Sequence, residues 1–265
     1  MIENFTVFGR TFSAYMICAL IGIFAAGIYA ICLAVKSGVK DTDFLVLLLW
    51  SSVGVFIGGH LLYAITNLRY VLLLFANLDN IISKGMLFTY LQYIFGGSVF
   101  YGGLIGGLIV GYLYANKKKF PIALCCDIAA SAIPLFHFFG RIGCFLSGCC
   151  FGVEWSHGIT YTHSVVEISN GVPRLPVQLI EAFFNLVLFA VFYYLFKNKK
   201  FKGNLIALYF ISYGIIRFTL EFFRGDFYRG FLFGLSTSQI ISIMLIIFAF
   251  IILFVKRFQR KDTIL

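Results

Sequence analysis

The sequence predicts an all-α integral membrane protein: a seven-transmembrane-helix bundle with interfacial arms and a small extracytoplasmic cap. Three observations predict this fold. The 265 residues are 61% hydrophobic and only 12% charged, with a mean hydropathy of +0.95, whereas soluble domains contain roughly 25% charged residues. The apolar residues fall in seven runs long enough to cross a bilayer. A bilayer core offers no water to backbone amides, and the runs are too long for barrel strands, so each is predicted to be a helix.

The seven predicted spans are joined by short connections and two longer outer loops. In chain order the spans are residues 13–35, 44–65, 98–115, 121–145, 179–196, 205–223 and 240–255. The loop 66–97 contains apolar stretches too short to span and is predicted to form interfacial arms on the membrane. The loop 149–177 is polar and is predicted to form a small extracytoplasmic cap. No internal repeat is evident, so residues 1–265 are treated as a single domain.

Basic residues between the spans predict the orientation of the chain. The 21 Lys and Arg residues against 11 Asp and Glu residues give a net charge of +10. Alternate loops divide the basic residues outside the spans into a set of 13 and a set of six, and loops rich in Lys and Arg face the cytoplasm. The sequence therefore predicts an external N-terminus and a cytoplasmic C-terminus. The basic excess is typical of loops facing anionic lipid, and no nucleic acid is expected as a partner.

Six ionisable residues lie at predicted membrane depth, where a charge is costly and therefore indicates function. They are Asp127, His137, Arg141, Glu181, Arg217 and Glu221. Most of them are predicted in the outer half of the bilayer. The first, Asp127, is predicted near the cytoplasmic end of its span and is interpreted as structural.

The sixth span contains an acid between two bases on one helix face, because Arg217, Glu221 and Arg224 are spaced i, i+4 and i+7. One interpretation is a buried structural triad that neutralises itself. The alternative is that one carboxylate cannot neutralise two guanidiniums. The surplus charge, together with Arg141, then suits a phosphate group, because arginine offers a planar fork matched to phosphate oxygens.

Glycines recur at helical spacing at the start of the third span, including Gly102, Gly103 and Gly106. This pattern is typical of close helix packing. The missing side chains also allow a lipid head group to approach the backbone, with Tyr101 at the entrance. The two interpretations are compatible.

The seven cysteines are an odd number and lie mostly inside spans, which argues against a disulfide framework. Two alternatives remain for the cysteines on the predicted outer side, Cys144, Cys149 and Cys150. They form a disulfide bridge, or they bind zinc together with His157 or His163. Their spacing matches no recognised zinc site. The sequence therefore predicts no metal site and no cofactor.

Three segments contain motif-like sequence: Gly-Gly-His-Leu-Leu-Tyr at 58–63, Ser-Val-Phe-Tyr-Gly-Gly-Leu-Ile-Gly at 98–106, and Gly-Arg-Ile-Gly-Cys-Phe-Leu-Ser-Gly at 140–148. Pro-Val-Gln-Leu-Ile-Glu at 176–181, Tyr-Gly-Ile-Ile-Arg-Phe at 213–218 and Gly-Leu-Ser-Thr-Ser-Gln at 234–239 follow in the same order. Together they resemble the bacterial prolipoprotein diacylglyceryl transferase family over nearly the whole chain.

The resemblance implies a seven-span enzyme of the bacterial inner or plasma membrane. Such an enzyme transfers the diacylglyceryl group of phosphatidylglycerol to the lipobox cysteine of a prolipoprotein signal peptide and releases glycerol phosphate. By motif position, Arg141 and Arg217 are implied to bind the phosphate. The enzyme hypothesis adds Glu221 to orient Arg217, and Tyr101 or His137 to assist proton transfer. The substrate-binding positions implied by the resemblance are Gly102, Gly103, Gly106, Cys144, Ser147, Gly152, Arg224, His60 and Gln239.

The sequence departs from the family pattern at polar positions. The family's His, a proposed proton acceptor, is Tyr101 here, and tyrosine with an ordinary pKa near 10 is poorly suited as a base at neutral pH. Two family Asn residues are Cys144 and Ser147, and a family Arg is His60. These departures favour a divergent member. The alternatives are transfer of a glycerolipid-derived group to another outer-leaflet acceptor, or non-catalytic phospholipid binding or translocation.

Overall fold

The computed structural model describes residues 5–7, 10–226, 231–232 and 234–262. The side chains of residues 5–7, 10–11, 79–80, 100–101, 231–232 and 258–262 lie outside this description. The chain is mostly helical. Its helices are α1 (Ala14–Lys36), α2 (Asp41–Thr66), α3 (Leu68–Ala76), α4 (Leu78–Ser83), α5 (Leu87–Phe95), α6 (Phe100–Lys117), α7 (Ile122–Ser147), α8 (Val177–Lys197), α9 (Leu205–Glu221) and α10 (Thr237–Asp262).

Within the residues that the structure describes, five helices are long and apolar enough to cross a membrane, which supports an all-α membrane protein. They are α1, α2, α7, α8 and, over Thr237–Arg257, α10. Each of the seven predicted runs lies on a helix over most of its length, so their helical structure is confirmed. However, α6 and α9 have 18 and 17 residues and are only about 27 and 26 Å long, slightly less than the roughly 30 Å of a bilayer core.

In the described part of the chain, short strands form three two-stranded antiparallel pairs. They are β1 (Phe5–Val7) with β2 (Arg10–Phe12), β3 (Glu154–Thr160) with β4 (Pro173–Arg174), and β5 (Phe231–Leu232) with β6 (Leu235–Ser236). The second pair and a 3₁₀ turn at Glu167–Ser169 organise the polar segment between α7 and α8. This segment is therefore folded, and its position as an outer cap stays a prediction.

The chain divides into two compact units, which are described separately. One unit is Ala34–Ile122, where α2 packs closely on α6. A Cβ added at Gly58 would collide with the carbonyl oxygen of Gly102, and one added at Gly106 would collide with that of Gly54. The glycine-mediated helix packing is therefore confirmed. The approach of a lipid head group to these glycines stays a prediction.

The other unit comprises Met1–Leu33 and Ala123–Leu265. It has a hydrophobic core where α7, α8 and α9 meet. The core residues are Ala130 from α7, Leu188 and Phe192 from α8, and Leu205 and Tyr209 from α9.

A buried carboxylate attaches the start of α9 to α7. The side chain of Asp127 accepts hydrogen bonds from the backbone N–H of Gly203 and, at 3.0 Å, of Leu205. The ammonium of Lys256 on α10 donates to the carbonyl of Gly203. Asp127 thus satisfies N–H groups at a helix start, which have no partner within the helix. These contacts support its structural interpretation.

The end of α9 differs from the sequence prediction. The helix was expected to continue to Phe223, but it ends at Glu221. The backbone of Phe223 instead accepts a hydrogen bond from Val153 at 2.9 Å, and Gly225 donates to Phe151 at 3.0 Å. These bonds to the segment after α7 replace the next helical turn.

Candidate active site

The centre of the candidate active site is the carboxylate of Glu181, near the N-terminal end of α8 and only 2% exposed. Its Oε1 lies 2.9 Å from Nη2 of Arg141 and accepts a hydrogen bond from the hydroxyl of Tyr213 at 3.2 Å. Its Oε2 lies 3.9 Å from Nη1 of Arg217. One buried carboxylate therefore brings together guanidiniums from α7 and α9.

The guanidinium of Arg217 is held by two further contacts. Its Nη2 lies 2.8 Å from Oε2 of Glu221, one turn later on α9. The same nitrogen donates a hydrogen bond to Oγ of Ser238 on α10 at 2.9 Å. Among the described residues, its buried Nη1 has no hydrogen-bond partner. Arg217 is therefore fixed in place and retains a donor that is not used within the described residues.

These three residues meet because each lies near one end of its helix. Arg141 lies near the C-terminal end of α7, Glu181 near the N-terminal end of α8, and Arg217 one turn before the end of α9. Burying such charges is tolerated only when they pair and form hydrogen bonds. The expected convergence of Arg141 and Arg217 is therefore observed, with Glu181 between them.

The surplus positive charge predicted from α9 alone is not observed, and that part of the prediction is wrong. Arg224 lies beyond the end of the helix, and its Nε donates to Oδ1 of Asp226 at 3.0 Å. Glu181 adds a further carboxylate. The three arginines thus face three carboxylates. The prediction considered only the charges spaced i, i+4 and i+7 on one helix. The carboxylates of Asp226 and Glu181 lie outside that helix, so the spacing does not include them.

Backbone pairing positions Arg224. Gly152 forms an antiparallel bridge with Arg224, and its N–H donates to the carbonyl of Leu175 at 3.1 Å. A side chain at Gly152 would collide with that carbonyl. Burial lowers the pKa of Arg224, but the hydrogen bond to Asp226 and the charge of Cys150 outweigh it, so the net pKa is raised. Arg224 therefore remains positively charged.

His137 has aromatic neighbours in this site. Its Nδ1 lies 3.2 Å from the hydroxyl of Tyr209, and its ring centroid lies 5.0 Å from that of Tyr213, which binds Glu181. His137 is therefore two contacts away from the carboxylate. Its role in proton transfer stays a prediction.

Several predicted residues belong to the unit Ala34–Ile122. Tyr101 lies in the first turn of α6, and its side chain is outside the described side chains. Gly102 and Gly103 are buried, and both lie against α2. The Nδ1 proton of His60 donates to the carbonyl of Phe95 at 2.8 Å. The functional roles of these residues stay predictions.

Two other predicted substrate contacts have local structural roles. Gln239 accepts a hydrogen bond from the N–H of Ser236 at 3.0 Å, and Ser236 Oγ accepts one from the N–H of Gln239 at 3.2 Å. This reciprocal pair is a capping box at the start of α10. Ser147 is buried at the end of α7, and its carbonyl accepts from Val165 at 3.0 Å. Substrate contacts by Gln239 and Ser147 stay predictions.

Three cysteine thiols converge beside this site. The sulfur atoms of Cys144, Cys149 and Cys150 all lie within 4.8 Å of one another. Hydrogen bonds from Cys144 and Cys149 hold the pKa of the Cys150 thiol below its ordinary value; the guanidiniums of Arg224 and Arg141 act in the same direction, and burial opposes them. The cysteine cluster and the arginines therefore share one electrostatic environment.

The model of the prolipoprotein diacylglyceryl transferase family matches residues 4–255 of the chain. The chain belongs to the prolipoprotein diacylglyceryl transferase family. It is 34% identical over 260 residues to the phosphatidylglycerol–prolipoprotein diacylglyceryl transferase of Clostridium tetani, covering 97% of this chain and 98% of that protein. It is 30% identical to transferase 2 of Clostridium perfringens, covering 97% and 96%. It is 35% identical over 226 residues to the transferase of Idiomarina loihiensis, covering 83% of this chain and 79% of that protein.

The family resemblance is therefore confirmed, but sequence reasoning within the prolipoprotein diacylglyceryl transferase family missed two residues. Glu181 was noted as an ionisable residue at membrane depth and received no role. Gln178, which is 1% exposed, donates from Nε2 to the carbonyl of Cys149 at 2.7 Å and accepts from the hydroxyl of Tyr161 at 3.1 Å. Both lie in the 176–181 motif at the start of an apolar run, and polar side chains at that position are the sequence signal that could have identified them.

Proposed function

We propose that this chain transfers the diacylglyceryl group of phosphatidylglycerol to the thiol of the lipobox cysteine in a prolipoprotein, releasing glycerol phosphate. The observation that carries the proposal is the position of Arg141 and Arg217, from two helices, on opposite oxygens of Glu181. Family membership supports the reaction, since the similar proteins of Clostridium tetani and Clostridium perfringens are named for it.

The arginine pair suits the phosphodiester of phosphatidylglycerol. A guanidinium has five N–H donors in a planar fork that matches phosphate oxygens. The side chain of Arg141 is 19% exposed and contacts Glu181 through Nη2, while Nη1 of Arg217 has no hydrogen-bond partner among the described residues. The head-group phosphate takes up these remaining donors. Glu181 and Glu221 act as positioning residues that hold both guanidiniums in place.

The reaction moves negative charge onto the group that the arginines bind. The acceptor thiol gives its proton to a base. Its sulfur then forms a bond with the carbon of the diacylglyceryl unit that is attached to the phosphate oxygen. The carbon–oxygen bond breaks, and its electron pair leaves on glycerol phosphate. Because charge grows on that phosphate in the transition state, Arg141 and Arg217 stabilise the transition state more than the bound lipid. Tyr101 and His137 are the proposed proton carriers.

The same proposal includes the membrane topology. We place α6 and α9 with the five candidate spans as the third and sixth of seven spans in a bacterial inner or plasma membrane. The N-terminus is outside and the C-terminus is cytoplasmic, and residues 1–265 form one domain. Residues 66–97 lie on the membrane as interfacial arms, which is supported by the exposed Leu72, Phe75 and Phe88 on helices too short to span. Residues 149–177 form the outer cap.

The proposal is tested with the purified chain in nanodiscs that contain phosphatidylglycerol, radiolabelled separately in its head-group glycerol and in its acyl chains, and a lipobox peptide. We expect peptide carrying the acyl label and an equal amount of labelled glycerol phosphate. Arg141→Ala and Arg217→Ala should each lower turnover by about 100-fold or more, because each removes donors to the leaving phosphate. The matched control is Arg69→Ala on α3, which removes an exposed guanidinium and should leave turnover unchanged.

Three outcomes contradict parts of the proposal. Full turnover by Arg141→Ala removes the phosphate assignment. Saturable binding of phosphatidylglycerol to folded chain without product favours a binding or translocating protein. Release of glycerol phosphate with the label on a different outer-leaflet acceptor keeps the lipid donor and changes the acceptor.

A further inference from the structure

The convergent thiols of Cys144, Cys149 and Cys150 form a site that the transferase proposal does not use. Cys144 lies in the last turn of α7 and is 8% exposed, while the other two are half-buried in the segment that follows. Their sulfur atoms lie within 4.8 Å of one another. Among the described residues, no carboxylate or imidazole joins the group as a fourth ligand.

The backbone holds the cysteines in this arrangement. Gly148 has a φ of +75° and Cys150 a φ of +59°, so the chain turns back on itself after α7. The N–H of Cys149 donates to the carbonyl of Cys144 at 3.1 Å, and its own carbonyl accepts from the buried Gln178 at 2.7 Å. The turn is therefore attached to both α7 and α8, and these contacts hold the three sulfurs close together.

The spacing of the sulfurs suits a soft metal ion. Zn–S bonds are about 2.3 Å long, so three thiolates on a tetrahedral zinc ion lie roughly 3.8 Å apart. The sulfurs therefore need to approach by at most about 1 Å. Structural zinc sites are closed by four protein ligands, whereas catalytic sites have three and leave the fourth position to substrate or water. Three cysteines correspond to the second class.

We propose that Cys144, Cys149 and Cys150 bind a zinc-class divalent ion whose open fourth position takes the acceptor thiol as a thiolate. This inference rests on the proposed transferase function. A thiol bound to zinc is deprotonated, so its proton passes to water on coordination. The thiolate sulfur then forms the bond to the glycerol carbon, and the carbon–oxygen bond breaks with its electron pair on glycerol phosphate. The thioether product is a weaker ligand and leaves the ion.

The three-cysteine site lies close to the place where the acceptor thiol must meet the lipid. Cys144 is three residues after Arg141 on α7, so the two side chains are neighbours on one helix face, with Cβ atoms roughly 5–6 Å apart. The acceptor sulfur on the metal is then close to the lipid whose phosphate Arg141 binds.

The test uses Co²⁺, which reports thiolate ligation by charge-transfer absorption. The full chain in detergent is reduced with a phosphine, stripped of metal and titrated without oxygen. We expect one Co²⁺ per chain with a thiolate-to-cobalt band, and a change in that band when a lipobox peptide is added. A peptide with serine in place of the lipobox cysteine should not change it. Cys149→Ser and Cys150→Ser should each lose the band, whereas Cys32→Ser, an exposed thiol on α1, should retain it.

Activity provides a second readout that needs no variant. Removing metal from the wild-type chain with a chelator should lower turnover at pH 7 by roughly tenfold or more, because a free thiol is only a few per cent thiolate there. Added Zn²⁺ should restore it. A reduced wild-type chain without a cobalt band, or turnover unchanged by chelation, overturns the metal site and leaves the transferase intact. A chain that binds Co²⁺ through its cysteines and forms no product would instead contradict the transferase itself.

Discussion

At the scale of single residues, Glu181 organises the candidate active site. It is 2% exposed and lies against Arg141, Arg217 and Tyr213. A buried carboxylate without partners would be strongly unfavourable, and so would two guanidiniums held close together without a carboxylate. The three charges therefore depend on one another. The site is arranged before lipid binds, so little reorganisation is needed when the phosphate arrives.

We predict that Glu181→Gln weakens both folding and catalysis. The amide has the same shape but no charge, so Arg141 loses the carboxylate it pairs with and Arg217 keeps only Glu221. Breaking a buried ion pair from one side costs about 3–5 kcal/mol. Misaligned arginines should also lower turnover by roughly 100-fold. Thermal unfolding in detergent and label transfer in nanodiscs measure the two effects.

The matched control is Glu154→Gln. Glu154 also pairs with an arginine, Arg174, at 3.5 Å, but its side chain is 69% exposed. An exposed pair contributes about 0–1 kcal/mol, so this variant should unfold and turn over almost as the wild type does. Equal effects of the two substitutions would show that Glu181 has no special role.

At the scale of the elements, α9 is the helix whose position matters most. It contains Arg217 and Glu221, and its 17 residues are slightly shorter than a bilayer core is thick. Its start is attached to α7 by Asp127, and its end is set by backbone bonds to the segment after α7. Contacts at both ends therefore determine the depth at which Arg217 lies.

We predict that Asp127→Asn lowers the yield of folded protein and leaves the turnover of each folded molecule close to that of the wild type. The carboxylate accepts from two N–H groups at the start of α9, whereas an amide offers one oxygen and places its NH₂ against the other donor. A buried donor without an acceptor costs about 1–3 kcal/mol. Yield after purification and turnover per folded chain are measured together.

Ser131→Ala, one turn further along α7, is the control for Asp127→Asn. Ser131 is fully buried, but its hydroxyl donates only to the carbonyl of Asp127 within the same helix. Its loss should change stability by less than about 1 kcal/mol. A normal yield of Asp127→Asn, or a loss of turnover with normal yield, would contradict a structural role for Asp127.

At the scale of the whole molecule, large apolar side chains lie exposed along the candidate spans. Phe24 on α1, Phe56 on α2 and Phe250 on α10 are each 60% exposed or more. Lipid tails cover such side chains in a membrane protein, whereas water would not tolerate them over a continuous surface. The basic loops then decide which side of the membrane each connection faces.

We predict that the segment between α7 and α8 is outside the cell and that the one between α8 and α9 is in the cytoplasm. Alkaline phosphatase is active only outside the cytoplasm, so fusion after residue 167 should give active enzyme and fusion after residue 199 should not. Green fluorescent protein fused at the same points should show the reverse pattern. The opposite pattern with both reporters would invert the topology and place the arginine pair near the inner leaflet.

Much of the candidate site was predictable because its signals are local. Arg141 and Arg217 stand out as charges inside apolar runs and within short motifs that keep their order along the chain. The charge balance was not predictable in the same way. Asp226 holds Arg224 because α9 ends three residues before that arginine, and the helix ends there through backbone bonds to residues 151–153.

The sequence by itself determined the helices, the family and the two phosphate-binding candidates, because apolar runs and motifs consist of residues that are consecutive along the chain. Only the tertiary structure decided that Glu181 lies between Arg141 and Arg217 and that three cysteines converge at the end of α7. The physical reason is that ion pairs and ligand sets depend on distances in space. Helix packing and chain reversals set those distances, and spacing along the chain does not encode them.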